Sequence, residues 1–199
     1  MNNGIKKHYI YTIKNEFFED FPDPQLKSKG DNRPNYYVFQ GKENKDILWF
    51  VPMSTQTEKY ERLIQQKEAQ GKPTDFAHVC QVGPRKQAFV IQDMFPVTKD
   101  YIKEDYIVRN SHYNVSSPED IKIIQNKAQK VQNLLNRGVK IVPKQADVKS
   151  IEKQLIQKLE EKDPKQELQK DQTNQDLEKE QREQKRKAAI RRHLARRER

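Results

Sequence analysis

The sequence predicts an α+β protein in which a small antiparallel β-barrel of SH3-like size carries added helices. Three observations lead to this fold class. Several short β-branched and aromatic runs, mostly joined by hairpin turns, occupy roughly the first 110 residues. Segments with apolar residues at helical spacing lie between and after them. All 8 Phe, all 8 Tyr and the single Trp lie at or before Tyr113, so the large core residues belong to the first part of the chain.

The composition favours one compact domain with a polar extension. Of the 199 residues 33% are hydrophobic and 34% charged, too few apolar residues for a core that includes the whole chain. We expect a domain over residues 1–160 and a charged extension over residues 161–199. The single cysteine excludes an internal disulfide, and no apolar segment suits a signal peptide or a membrane span. We therefore expect a cytoplasmic protein without membrane contact.

The first predicted strands surround a polar loop. Residues 9–13 (YIYTI) predict a strand, whereas residues 20–35 contain three prolines and a glycine and predict a loop. Residues 36–39 and 47–51 flank a polar segment, which predicts a hairpin whose second strand ends at Pro52.

A second hairpin follows further along the chain. Residues 76–82 and 87–92 enclose residues 83–86 (GPRK), which predicts a hairpin with a basic turn. Residues 106–108 predict one more short strand.

Three segments have the apolar spacing of amphipathic helices. The first runs from Thr57 to Gln70 and ends before Gly71. The second begins after Ser117, a preferred N-cap residue, with Pro118 at the first helical position. Its apolar stripe, which we expect to pack on the barrel, consists of Ile121, Ile124, Ala128, Val131 and Leu135. A shorter third helix repeats the pattern at Val148, Ile151, Leu155 and Leu159.

The end of the chain is dominated by charge. Pairs four residues apart, such as Glu178 and Arg182, are compatible with a solvated helix. Residues 185–199 contain eight Lys/Arg and one Glu, so this segment carries +7 of the net charge of +10. Such a segment attracts RNA or anionic lipid non-specifically, or simply increases solubility.

The segment from Val51 to Tyr60 (VPMSTQTEKY) contains the main candidate site. Two adjacent hydroxyl residues, Ser54 and Thr55, follow the predicted strand, and Lys59 lies in the first turn of the predicted helix. Free N–H groups at a helix N-terminus attract anions, so this arrangement predicts a phosphate-binding site. The same residues also fit a capping box in which Thr55 and Glu58 bond each other's backbone N–H groups.

Four segments resemble, in their order and spacing, the ToxN/AbiQ-like endoribonuclease toxins of type III toxin–antitoxin systems, most closely the CptN-like branch. These segments are residues 9–13, 33–37, 47–60 and 87–96. The resemblance covers about residues 7–159 and implies a MazF/PemK-like barrel with added helices. It also implies metal-independent RNA cleavage without a cofactor, on mRNA and on the antitoxin precursor RNA. An RNA antitoxin made of pseudoknot repeats would inhibit the toxin in a closed toxin–RNA hetero-oligomer, in phage defence or plasmid maintenance.

The chemistry implied by this resemblance needs no metal ion. The 2′-OH of the RNA attacks the adjacent phosphorus and leaves a 2′,3′-cyclic phosphate, while the protein aligns the groups and offsets the negative charge. The resemblance assigns the catalytic group to Ser54, Thr55 and Lys59.

Other residues are candidates for RNA contact. Arg33 suits a phosphate, and Tyr36 and Tyr37 suit stacking on bases, although strand alternation places one of these tyrosines in the core. Arg85 and Lys86 at the expected hairpin tip suit the antitoxin RNA, or are equally a solvated turn.

Histidine and cysteine give weaker signals. His112, in a predicted loop near the barrel, is a candidate for acid–base catalysis, whereas His8 and His78 fit structural roles and Cys80 fits the core. The sequence has no Cys/His ligand spacing, phosphate-binding loop or dinucleotide fingerprint, so we expect no metal and no nucleotide cofactor.

Two other functions are compatible with the same residues. In a noncatalytic RNA-binding module, the Ser54–Thr55 pair would only cap the following helix. In a protein scaffold, residues 160–199 would form a partner-binding helix.

Overall fold

A computed structural model describes residues 4–26 and 32–162. The strands in these ranges are β1 (Ile10–Ile13), β2 (Asn35–Gln40), β3 (Leu48–Ser54), β4 (His78–Val82), β5 (Arg85–Phe89), β6 (Phe95–Val97), β7 (Ile102–Asp105), β8 (Ile107–Val108) and β9 (Ser111–His112). The helices are α1 (Asn15–Asp20), α2 (Thr57–Ala69), α3 (Pro118–Asn136) and α4 (Val148–Lys162), with short 3-10 turns at Ile91–Asp93 and Lys99–Tyr101. The protein therefore has the α+β class that the sequence predicts.

The first seven strands form one antiparallel sheet. Its order is β4-β5-β3-β2-β1-β7, and β6 pairs with β3, while β8 and β9 form a separate hairpin. Among the residues that the structure describes, the end strands β4 and β7 do not pair with each other. Closure into an SH3-like barrel therefore stays a prediction.

β3 is the central strand and passes through Pro52 to Ser54, so the expected strand end at Pro52 is wrong. One edge of β3 pairs with β2, and the other pairs first with β6 and then with β5. Pro52 lacks an N–H group, but its carbonyl accepts from the Val90 N–H at 2.9 Å, and the Met53 N–H donates to Pro34 at 3.0 Å. The strand consequently continues and carries Ser54 to its end.

The β4–β5 hairpin has a shorter turn than the sequence predicts. Val82 pairs with Arg85, so the turn consists of Gly83 and Pro84, and Lys86 lies inside β5. Gly83 has a φ of +52°, as a two-residue hairpin turn requires at its first position. The expected basic turn is therefore wrong, because both basic residues belong to a paired strand.

α3 packs its apolar stripe on the sheet as predicted. It contacts β2, β4 and the 3-10 turn at Ile91–Asp93, and its Ile124, Ala128 and Val131 side chains are fully buried. Ser117 is the N-cap, and its hydroxyl accepts the Asp120 N–H at 3.2 Å.

The end of the described chain agrees with the predicted third helix. In α4 the side chains of Val148, Ile151 and Leu155 are buried. By its contacts the chain divides after Ile156 into two units, and the second, Gln157–Arg199, is described only through residue 162. The predictions for residues 163–199, the charged helix and the basic end, lie outside the described residues.

None of the described helices is both long and apolar enough to cross a membrane.

Candidate functional site

A cavity of about 610 Å³ opens beside the end of β3 and the first turn of α2. Its polar lining includes Arg33, Asn35, Ser54, Lys59, Tyr60 and Asp93. Its apolar lining includes Phe18, Met94, Phe95, Val142, Pro143 and Val148. Cationic and hydroxyl groups beside apolar walls suit a ligand with anionic and planar parts, such as a nucleotide.

Ser54 lies at the edge of this cavity, where β3 ends. Its backbone is held in register opposite Ala88 of β5, and its Oγ accepts the Gln56 N–H at 3.2 Å. A hydroxyl that accepts this bond still has its own proton to donate. The side chain is only partly buried, so that proton can reach a ligand in the cavity.

The capping box that competed with the phosphate site does not form. α2 begins at Thr57, and its N-cap is Gln56, which makes no side-chain capping bond. The Thr55 carbonyl, rather than its hydroxyl, bonds a backbone N–H, that of Thr57, at 2.9 Å. Thr55 is exposed and does not line the cavity, so the structure separates the two hydroxyl residues.

Lys59 lines the same cavity as Ser54. Its side chain is exposed, with Nζ 5.6 Å from the centre of the Tyr60 ring, and it also lines a smaller cavity of about 170 Å³. The structure thus brings a flexible ammonium group and a fixed hydroxyl group to one cavity.

Arg33 supplies a second cation to this cavity. Its Nε–H donates to the Met53 carbonyl at 3.5 Å, and the Asn35 amide donates to the Arg33 carbonyl at 2.8 Å, which fixes the backbone. Burial lowers the pKa of Arg33, and Asp93 and Tyr60 oppose this shift. A guanidinium group nevertheless stays charged at neutral pH, so Arg33 is a partly buried, oriented cation.

Tyr60 and Asp93 belong to the site although the sequence analysis missed them as site residues. Burial and the Asp93 charge raise the pKa of Tyr60, and Arg33 opposes this effect. The phenol therefore keeps its proton and remains a donor. In the sequence, Tyr60 has the helical spacing of an apolar face with Leu63 and Ile64, and Asp93 follows a predicted strand directly. The position of Asp93 at the end of that strand was the one sequence signal for its role.

The segment between α3 and α4 forms one wall of the cavity. Gln145 holds it in place, because its amide donates to the Gln92 carbonyl at 2.9 Å and its oxygen accepts the Ile141 N–H at 2.7 Å. Val142 and Lys144 then line the cavity. No sequence pattern indicated this wall.

Tyr36 and Tyr37 both lie in the core and do not line the cavity. The Tyr36 side chain is 0% exposed, packs edge-on against Phe89, and its hydroxyl bonds His8 Nδ1 at 2.8 Å. Tyr37 is 4% exposed and stacks on Phe50. Both sides of β2 are covered, so neither ring offers a free face to a base in this conformation.

The remaining candidates also lie away from the cavity lining. Arg85 and Lys86 are exposed on β5, where Lys86 forms an ion pair with Glu61. His112 is in β9 rather than in a loop, and its Nε2 lies 2.8 Å from the Ile10 carbonyl. Its ring packs against Tyr11. The structure does not bring these side chains to Ser54.

The described residues contain one group of possible metal ligands, His78, Cys80 and Asp120, whose donor atoms all lie within 4.8 Å of one another. None of the three lines the cavity. These residues have no recognisable ligand spacing in the sequence, because Asp120 is remote from the other two in the chain.

No protein-family model and no curated protein matches this chain. Among solved structures, the chain is similar in fold to AbiQ. AbiQ is a lactococcal anti-phage endoribonuclease belonging to the type-III toxin–antitoxin system. The similarity has a TM-score of 0.58 at 11% sequence identity and covers 75% of this chain and 96% of AbiQ. The arrangement of an antiparallel sheet with helices is therefore shared with this endoribonuclease.

Proposed function

We propose that this chain is an endoribonuclease toxin of a type III toxin–antitoxin system and that it cleaves RNA in the cavity beside Ser54. One observation carries the proposal. A hydroxyl, an ammonium and a guanidinium group line one cavity, in a chain whose fold is similar to that of AbiQ. A reaction on RNA without a metal ion needs hydrogen-bond donors and cations beside the phosphate, and these three groups can supply them.

The proposed reaction is a transesterification within the RNA. The 2′-hydroxyl loses its proton as its oxygen bonds to the adjacent phosphorus, the bond from phosphorus to the 5′-oxygen breaks, and that oxygen takes up a proton, with water as the proton acceptor and donor. The products are a 2′,3′-cyclic phosphate and a 5′-hydroxyl end. Negative charge grows on the phosphoryl oxygens, and cations and donors that already point at them stabilise the transition state.

Four of the residues that line the cavity have roles in this proposal. Ser54 donates a hydrogen bond to a phosphoryl oxygen, while Arg33 binds and orients the phosphate. Lys59 offsets the developing charge, and the protonated Tyr60 phenol supplies a further donor. Thr55 keeps its proposed catalytic role only if RNA binding brings its exposed hydroxyl to the cavity.

Replacement of Lys59 tests the catalytic role. We expect Lys59→Ala to lower the single-turnover cleavage rate about 100-fold or more, since charge stabilisation in the transition state is lost. Binding of uncleavable 2′-deoxy-substituted RNA should weaken less than about 10-fold, because an exposed cation contributes little to ground-state binding. Arg62→Ala is the matched control, since Arg62 is an exposed cation on α2 that lines neither cavity.

The alternative is a noncatalytic RNA-binding module. It predicts that the purified chain binds RNA without cleaving it and that Lys59→Ala changes only affinity. Cleavage that persists in a chelator, yields cyclic phosphate ends and disappears in Ser54→Ala and Lys59→Ala would contradict the alternative. Absence of cleavage by a folded, RNA-free chain on a broad RNA mixture would contradict the nuclease.

The partner in this proposal is an RNA antitoxin made of pseudoknot repeats, bound in a closed toxin–RNA hetero-oligomer. The chain would process the antitoxin precursor and, when released, cut mRNA in phage defence or plasmid maintenance. A MazF/PemK-like barrel is part of the same proposal, because a strongly curved sheet would expose β3 and the cavity beside it to RNA. Sequencing the RNA that copurifies with the chain should give one short repeat cut at a constant position.

A further inference from the structure

A compact set of nitrogen, sulfur and oxygen donors joins β4 to the start of α3. His78 and Cys80 are two residues apart on β4, so their side chains lie on the same face of the strand. Asp120 lies in the first turn of α3, and its Oδ1 is 2.8 Å from His78 Nε2. One donor atom from each residue lies within 4.8 Å of those of the other two.

The backbone around these three side chains is well fixed. Cys80 pairs with Gln87 inside the β4–β5 hairpin, and α3 packs directly on β4. Asp120 donates its own N–H to the N-cap hydroxyl of Ser117. The donors are therefore held by two anchored elements, and little ordering remains to be done when a ligand binds.

The charges and protons of the cluster suit a divalent cation. A cation that displaces the thiol proton to solvent would meet one thiolate, one carboxylate and one neutral imidazole. These ligands carry two negative charges, which balance a divalent ion in a partly buried place.

We propose that His78, Cys80 and Asp120 bind a zinc ion that links β4 to the N-terminus of α3. The combination of sulfur, nitrogen and oxygen ligands fits Zn²⁺ and does not suit Mg²⁺ or Ca²⁺, which prefer oxygen alone. The side chains of His78 and Asp120 are 15% and 23% exposed, which leaves an entry path and room for water as a fourth ligand. The zinc stabilises the fold, independently of the RNA cavity.

Cobalt substitution of the full chain tests this site directly. Because Cys80 is the single cysteine of the chain, a thiolate-to-cobalt charge-transfer band can come from this residue alone. We expect one Co²⁺ per chain to give this charge-transfer band together with the visible absorption bands of a tetrahedral Co²⁺ ion. One equivalent of Zn²⁺ should displace the Co²⁺ and remove both sets of bands. A folded chain without the band at saturating Co²⁺ would overturn the proposal.

Three variants show which residues bind the ion. Cys80→Ser should abolish the charge-transfer band. His78→Gln and Asp120→Asn should each weaken Zn²⁺ binding at least about 100-fold, because loss of a ligand lowers the affinity more than loss of a residue that only hydrogen-bonds to a ligand. His112→Gln is the control, because this imidazole bonds the Ile10 carbonyl elsewhere. Zinc affinity that is equal in the His78, Asp120 and control variants would contradict the site.

Alkylation of the unaltered chain gives a test that needs no variant. In mild denaturant, one equivalent of Zn²⁺ should slow alkylation of Cys80 at least about 10-fold, because a zinc-bound thiolate is shielded and local opening is suppressed. An equal alkylation rate with and without Zn²⁺ would overturn the zinc site. It would leave the nuclease proposal untouched, since cleavage is measured separately in a chelator.

Discussion

Two of the cations that line the cavity, Arg33 and Lys59, differ in environment, and we expect them to have different roles. Arg33 is partly buried and bonded to the Met53 carbonyl, whereas Lys59 is exposed. Water and salt screen an exposed charge much more than a partly buried one. We therefore expect Arg33 to contribute more to phosphate binding, and Lys59 to contribute mainly when charge develops in the transition state.

Arg33→Gln should weaken both RNA binding and cleavage. Removing a charge-assisted hydrogen bond of about 1.5–3 kcal/mol lowers kcat/KM roughly 10- to 100-fold. Arg33→Lys should recover only part of the loss, because an ammonium group cannot make the paired contacts of a guanidinium. Cleavage kinetics on a short single-stranded RNA measure this effect. The control is Arg109→Gln, an exposed arginine in the β8–β9 turn, which should cleave at the normal rate.

Tyr37 makes the stability of the fold sensitive to alkaline pH. Burial raises the pKa of Tyr37 from 10.0 to about 12, so the folded chain keeps a proton that the unfolded chain loses. Its contribution to stability is complete below pH 10 and disappears as the pH rises through 12. The free energy of unfolding should fall in both chains when the pH is raised from 8 to 11. In Tyr37→Phe this fall should be smaller than in the unaltered chain by roughly 1 kcal/mol, because the variant has no phenol to titrate at this position. Urea unfolding at both pH values measures this, and equal losses would contradict the buried phenol.

At the scale of the single element, the β4–β5 turn has the tightest local geometry of the turns described above. Gly83 has a positive φ, and a Cβ atom there would lie 2.8 Å from the Tyr113 ring. The Tyr113 hydroxyl bonds the Val82 carbonyl, which limits how far that ring can move. The turn is therefore constrained by both backbone conformation and packing.

Two glycine variants separate these constraints. Gly83→Ala should destabilise the fold by about 1–2 kcal/mol for the left-handed backbone and by a further amount for the displaced Tyr113 ring. Gly71→Ala is the matched control, since Gly71 has a φ of +62° but nothing within 4 Å of its added Cβ. Thermal unfolding should show the larger loss for Gly83→Ala. Equal losses would mean that the Tyr113 contact contributes nothing.

The sequence predicted those elements that have a long periodic pattern. α2 and α3 were placed within a residue or two, because apolar spacing, Gly71 and Ser117 mark their bodies and ends. α1, β6 and β7 were missed because they have three to six residues, too few for a periodicity to develop. The end of β3 was misplaced because neighbouring strands satisfy the backbone around Pro52, which no local rule reveals.

Three lining residues of the candidate site, Arg33, Ser54 and Lys59, were predicted from the sequence as candidates. Ser54 and Lys59 lie on either side of one strand–helix junction, so a local pattern identified them. Asp93 and the wall held by Gln145 reach the cavity only through tertiary folding. The group formed by His78, Cys80 and Asp120 also depends on tertiary folding, because Asp120 contacts β4 only when α3 packs on the sheet.

At the scale of the whole molecule, positive charge is concentrated at the end of the chain. Residues 185–199 carry +7 of the total of +10, which leaves +3 for residues 1–184. A polyanion such as RNA gains affinity from this segment without gaining sequence information, because released counterions drive such binding. In the proposed function we therefore expect recognition of a particular RNA to come from the cavity and its surroundings.

Deletion of residues 185–199 tests this division of roles. We expect the shortened chain to bind single-stranded RNA of any sequence more weakly. The slope of log affinity against log salt should fall in magnitude by about 2 or more, because three or more phosphate contacts of ~0.7 each are lost. Deleting residues 163–184, which contain four Lys/Arg and seven Asp/Glu, is the control and should not reduce the slope. The cleavage rate at saturating RNA should be unchanged in both deletion variants. A loss of cleavage in the 185–199 deletion alone would contradict this division of roles, because residues 185–199 would then contribute to the catalytic site.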